Sequence, residues 1–198
     1  MRFPLAYPLS MSFKIVALAP QFTIRDANGN LIAYVRQKLF KLKEAVTVFA
    51  DEPQTQPLYT LKADRILDFS ARYHFADTAG TSLGSIKRKG MRSLWKAQYD
   101  ILDGDTPTMT IREENAWVKV FDALFGEIPL LGMFSGYLFH PAYLVARSDD
   151  AVVLRMEKQP AFFEGKFVVE KKASLSEAEE QRVLLSLIMM LLLERARG

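Results

Sequence analysis

The chain has 198 residues, 49% apolar, 25% charged and 12% aromatic, a balance that fits one globular domain with a full core and excludes long disorder and collagen-like repeats. It has no cysteine, which excludes thiol catalysis, disulfides and thiolate metal sites. The net charge is only +3, yet residues 1–100 carry 15 Lys and Arg against 8 Asp and Glu while the rest carry 11 against 15, an asymmetry that points to an anionic partner for the first half.

The N-terminus superficially resembles a secretory leader ending at Ala17-Leu18-Ala19. Pro4 and Pro8 break that segment, Lys14 interrupts its apolar run, and Pro20 would follow the cut. The expected location is therefore the cytoplasm, with room for peripheral contact with a membrane. Ser12–Leu18 reads as an opening strand.

A repeat then organises the first half. Asp26, Asp51, Asp77 and Asp103 lie 25, 26 and 26 residues apart. Strand-forming residues precede each at alternate positions: Phe22 and Ile24, Thr47 and Phe49, Tyr73 and Phe75, Tyr99 and Ile101. Gly29, Gly80 and Gly104 follow three of them, and Pro53 with a longer loop follows the second. Each unit then returns through an apolar stretch ending in a cation: Val35-Arg36, Leu61-Lys62, Ile86-Lys87 and Ile111-Arg112. Period-two alternation marks half-buried strands, and a short aspartate side chain can bond the amides of a turn. Four hairpins are expected, each outgoing strand closed by its aspartate.

Two return strands carry the densest positive charge. One holds Arg36, Lys38, Lys41 and Lys43; the other holds Lys87, Arg88, Lys89, Arg92 and Lys96, with Trp95 among them. Clustered cations attract anionic lipid headgroups, and a tryptophan suits the membrane interface. The competing reading is a solvated strand face.

From 116 to 142 the hairpin rhythm stops and aromatics accumulate. Trp117, Phe121 and Phe125 recur every fourth residue, the spacing of one helical face. A lid over a barrel end is the plain reading, and a protein or membrane interface is the functional one. Tyr143–Arg147, Val152–Glu157 and Phe162–Glu170 read as further strands, with turns at Asp149-Asp150 and Glu164-Gly165.

The last element is a helix over 177–195. Ser176 and Glu179 have the spacing of a capping box, and Glu180 adds charge in the first turn. Leu184, Leu185, Leu187, Ile188 and the residues to Leu193 cover every face, so the helix must be buried all round. The apolar run of 183–193 is too short to span a bilayer. Barrels wider than about eight strands need filling. The fold expected is mainly β: a closed antiparallel barrel of about twelve strands around a hydrophobic C-terminal helix, forming one domain over 1–198.

That combination resembles the tubby C-terminal-like superfamily, which includes tubby proteins, phospholipid scramblases and LURP-one-related proteins. The chain looks most like the LURP-one-related branch. The resemblance rests on Phe22-Thr-Ile-Arg-Asp-Ala-Asn-Gly29, on Tyr73-His-Phe-Ala-Asp77 with Gly80 and Gly84-Ser-Ile-Lys-Arg-Lys89, and on the capped terminal helix. It implies a lipid-associated fold, since tubby domains bind phosphorylated phosphatidylinositol. The cysteine cluster and proline-rich N-terminal region of scramblases are missing here, which argues against scramblase-like lipid movement.

Enzymatic motifs are sparse. Gly80-Thr-Ser82-Leu-Gly84 matches the hydrolase elbow in form, but that elbow needs a strand-to-helix turn, and the repeat puts it between two strands. His74 and His140 have no metal-ligand spacing. No catalytic residue, metal or cofactor is expected, and no nucleic-acid module is recognisable. The sequence points to a non-enzymatic module binding anionic phospholipid through Arg36–Lys43 and Lys87–Lys96, with a protein scaffold using 117–143 as the alternative.

Overall fold

The computed structural model describes residues 3–14, 21–36, 45–65, 71–89, 98–114, 141–160 and 164–197, and among these apolar alternation resolves into twelve strands and one helix. The four repeats are four hairpins. They pair β2 (Gln21–Arg25) with β3 (Leu31–Arg36), β4 (Val46–Phe49) with β5 (Pro57–Ala63), β6 (Arg72–Asp77) with β7 (Ser82–Arg88), and β8 (Gln98–Asp103) with β9 (Thr106–Glu113). A fifth joins β10 (Ala142–Arg147) to β11 (Val152–Gln159). Every strand runs antiparallel to its sequence neighbours, and β1 (Leu9–Lys14) closes the ring against β12 (Glu164–Lys171).

The opening strand begins at Leu9, before the expected start of Ser12–Leu18, and residues 15–18 of that expectation lie outside the described residues. Leu9, Met11 and Phe13 face the core while Ser10, Ser12 and Lys14 face out, so the apolar phase that the barrel uses begins at Leu9. The turn expected at Glu164-Gly165 is also displaced. Both residues open β12, opposite Lys14 and Phe13, because closing the barrel takes the chain back to β1 at that point.

All five hairpins carry a bulge in the return strand, close to the turn. Ile32, Leu58, Leu83, Thr108 and Val153 are the extra residues, so the bulge recurs with the sequence repeat. Bulges increase local twist, and repeated twist helps a long meander curl into a closed ring.

Aspartates close the first three hairpins as the repeat predicts. Asp26 Oδ1 accepts from the amides of Asn28 and Asn30 at 2.9 and 2.8 Å. Asp77 Oδ1 accepts from Ala79 and Thr81 at the same distances. Asp51 does so from Thr55 and Gln56 at 3.0 and 2.9 Å. The fourth differs. The β8–β9 loop is only Gly104-Asp105, too short to turn its amides onto Asp103, whose carboxylate instead meets Arg182 of the helix at 2.6 Å.

The helix α1 (Glu177–Arg197) fills the ring. Its capping box is formed: Glu179 Oε2 accepts from the Ser176 amide at 2.8 Å, and Ser176 Oγ accepts from the Glu179 amide at 3.3 Å. Residues Val183 to Leu192 are buried on every face, among the inward side chains of the strands. Ser186 satisfies its hydroxyl on the Arg182 carbonyl at 2.8 Å, so the core keeps its one buried helix hydroxyl bonded. Among the described residues no helix is long and apolar enough to cross a membrane.

The barrel therefore has two unlike ends. The short hairpin loops gather at one, where α1 begins and is tied down by Arg147–Glu179, Lys171–Glu180 and Arg182–Asp103. At the other end the odd-numbered strands finish and the longer connections start. There α1 finishes, with Tyr99 Oη donating to Glu194 at 2.5 Å and the Arg195 guanidinium lying over the Phe13 ring at 5.4 Å.

Candidate functional site

The cations at the two ends differ in pairing. At the loop end Arg25 meets Glu52 and Arg147 meets Glu179, while Arg72, opposite Lys87 at the start of β6, and Arg112, near the end of β9, reach Asp105 and Asp150. Arg155, on the outer wall, meets both Glu114 and Glu157. At the connection end most cations have no carboxylate partner among the described residues. Arg36, Lys62 and Lys87 finish the return strands β3, β5 and β7, each exposed. Lys158, Lys166 and Lys14 stand exposed on β11, β12 and β1, which are contiguous with them around the ring. One arc thus runs from β11 through β1 to β7. The remaining strands present Asp100, Glu113 and Glu114 at this end, with Arg112 among them, and the arc itself carries Asp64 just after β5.

The sequence-predicted cations divide into three groups. Arg36, Lys87 and Lys89 lie on the exposed arc, with Lys89 3.8 Å from Asp100. Arg88 does not share their face. It follows the inward phase of Ile86, stands opposite buried Tyr99, and has a buried Nε with no hydrogen-bond partner. Lys38, Lys41, Lys43, Arg92 and Lys96 lie outside the described residues, as do Trp95, Trp117, Phe121 and Phe125. β3 and β7 are not adjacent: β4, β5 and β6 stand between them, and Lys62 on β5 bridges their charge.

Inside the mouth a second set of polar groups converges. Glu113 stands opposite Tyr143, and Glu194 accepts from Tyr99. Burial, then the carboxylates of Glu113 and Glu194, push the Tyr143 phenol well above its ordinary value. A tyrosine shifted that way stays protonated and donates; it is not a poised base. Ser82 is exposed beside a strand-to-strand turn, opposite Ala76, and lacks the helix that a nucleophile elbow requires. His74 faces solvent between Lys62 and Ser85, and His140 lies outside the described residues. No group of His, Asp and Glu able to hold a metal occurs among the described residues.

The LURP-one-related family profile matches residues 31–170. The chain belongs to the LURP-one-related family. Its fold is also similar to the X-ray structure of the Arabidopsis thaliana protein AT5G01750, with a TM-score of 0.51 and 18% identity over 95% of this chain and 91% of that one. No curated protein matches the chain. For this LURP-one-related protein the family match runs from the first residue of β3 to within β12. β1, β2 and α1, which close and fill the barrel, lie outside the matched span.

Four of the arc's seven cations were not singled out as site residues from the sequence. Lys14, Lys62, Lys158 and Lys166 are isolated in the chain, so no cluster marks them. Their shared signal is positional: each sits at or near the strand end opposite the hairpin loops. That signal needs the strand directions before it becomes legible.

Proposed function

We propose that this LURP-one-related barrel is a non-enzymatic module that docks its connection end on anionic phospholipid headgroups, phosphoinositides among them, at the cytoplasmic surface of a membrane. The observation that carries this reading is the one-sided distribution of exposed cations without ion-pair partners, from Lys158, Lys166 and Lys14 to Arg36, Lys62 and Lys87. Charges neutralised by a neighbouring carboxylate have little field left for a ligand, whereas unpaired ones on one rim add together. Each cation near an anionic surface contributes about 1 kcal/mol, and the effect fades beyond a Debye length of about 8 Å at physiological salt.

The test is flotation with vesicles of neutral lipid, with and without phosphoinositide, at low and physiological salt. Arg36→Glu/Lys62→Glu/Lys87→Glu should reduce binding to the anionic vesicles more than a hundredfold, since removing three such contacts costs about 3 kcal/mol. Arg25→Glu at the loop end should leave it nearly unchanged. Absence of binding at low salt, or equal loss from the loop-end variant, would overturn the assignment.

A further inference from the structure

A cavity of about 210 Å³ opens at the connection end, beside the last turn of α1. Phe13, Phe22, Phe167, Tyr143 and Leu191 line it, and Phe13 and Phe22 meet edge-to-face at 6.3 Å. Its floor is apolar because Phe13, Phe22 and Leu191 continue the inward phase of β1, β2 and α1. Its mouth is charged: Lys158 and Arg195 are exposed there, and Glu194 lies deeper, where it accepts from Tyr99. Gly165 lines one wall of the space. Gly165 faces Phe13 across the β1–β12 pair, and a Cβ there would come no closer than 3.6 Å to Phe13 and 3.7 Å to Phe167. Those are ordinary contacts, so packing against the strands does not demand the glycine. A larger side chain would extend from this point into the cavity.

We infer that this cavity takes one hydrocarbon chain of an anionic amphiphile whose head sits between Lys158 and Arg195. An apolar floor beneath two exposed cations matches a tail and an anionic head. At about 30 Å³ for each water-sized group, the cavity holds about seven chain carbons. That is the tail of octanoate. The inference deepens the membrane-surface reading by adding a tail to the head, and it rests on that reading only for the sign of the head. A free amphiphile and a chain lifted from a bilayer share this chemistry, and the assay separates them.

The probe is octanoate, titrated calorimetrically into the full chain beside butanoate, decanoate and octyltrimethylammonium. Each methylene buried strengthens binding about fourfold, so butanoate should bind more than a hundredfold more weakly than octanoate. Decanoate should gain little further, and the cationic amphiphile should not compete. Gly165→Leu, checked for an unchanged unfolding temperature, should weaken octanoate at least tenfold. Flotation of the same variant identifies the source: weakened vesicle binding means a bilayer chain enters the cavity, and unchanged binding with lost octanoate affinity means a free amphiphile does. Failure of octanoate to bind, or affinity independent of chain length, overturns the inference while leaving the rim's vesicle binding intact. Octanoate binding without vesicle binding keeps the cavity and refutes the membrane-surface reading.

Discussion

Replacing Gly84 with alanine tests how the helix is seated in the barrel. Gly84 has a φ of +116°, and an added Cβ would lie 2.5 Å from Arg182 Nε, 2.7 Å from Arg182 Cδ and 2.5 Å from the Leu102 carbonyl oxygen. The Leu102 oxygen is backbone in the neighbouring strand, so it cannot swing aside. Arg182 can move only by leaving the Leu83 carbonyl, to which it donates at 2.9 Å, and Asp103 at 2.6 Å. The Arg182 side chain is 8% exposed, so displacement leaves most of a cation without partners. Breaking a fully buried pair costs about 3–5 kcal/mol. Asp103 is 60% exposed, so solvent screening reduces the lost pair to about 1–2 kcal/mol. Backbone strain at a residue with a side chain adds about 1–3 kcal/mol. The expected loss is about 2–5 kcal/mol, or about 10 °C in unfolding temperature for a chain of this size. Urea unfolding followed by circular dichroism measures it, with a constant slope showing that stability alone has changed. Gly80→Ala is the control: its φ is +84°, but nothing lies within 4 Å of the added Cβ, so only strain of about 1–2 kcal/mol applies. Equal losses for the two variants would refute the packing argument.

Two further outcomes follow from the loop end. The Glu180 carboxylate is 3% exposed and meets Lys171 Nζ at 2.8 Å, so Glu180→Ala should cost about 3 kcal/mol in urea unfolding, and Glu180→Leu/Lys171→Met should recover part of it, because no lone charge remains but the half-buried Tyr7 phenol still loses its Glu180 acceptor. The carboxyl groups of Asp26, Asp51 and Asp77 are held below their ordinary values, chiefly by the Asn30 side chain, the Thr55 side chain and the Thr81 amide respectively. Their folded values lie below the unfolded one, so their stabilisation is complete above about pH 4 and is lost as pH falls through the lowered values. Asp26→Asn/Asp51→Asn/Asp77→Asn should therefore flatten the acid limb of the urea midpoint against pH, and an unchanged limb would show that the turns contribute nothing to it.

The chain's local chemistry determined much of this protein by itself. Period-two alternation and the recurring aspartates marked four hairpins, and the Ser176–Glu179 box marked the helix start. These features act between residues a few positions apart, so a linear reading contains all of their physics. An all-apolar helix beside many short strands also implied a ring around it, because only enclosure satisfies every face. Closure decided the rest. It set the opening strand at Leu9, since the phase of β1 depends on β12. It drew Glu164 and Gly165 out of a turn and into a strand, and it sent Asp103 to Arg182 instead of its own loop. It also gathered Lys14, Lys62, Lys158 and Lys166 on one rim and left space beside Gly165. Each of these outcomes joins residues far apart in the chain, and their juxtaposition exists only once the twelve strands share one ring.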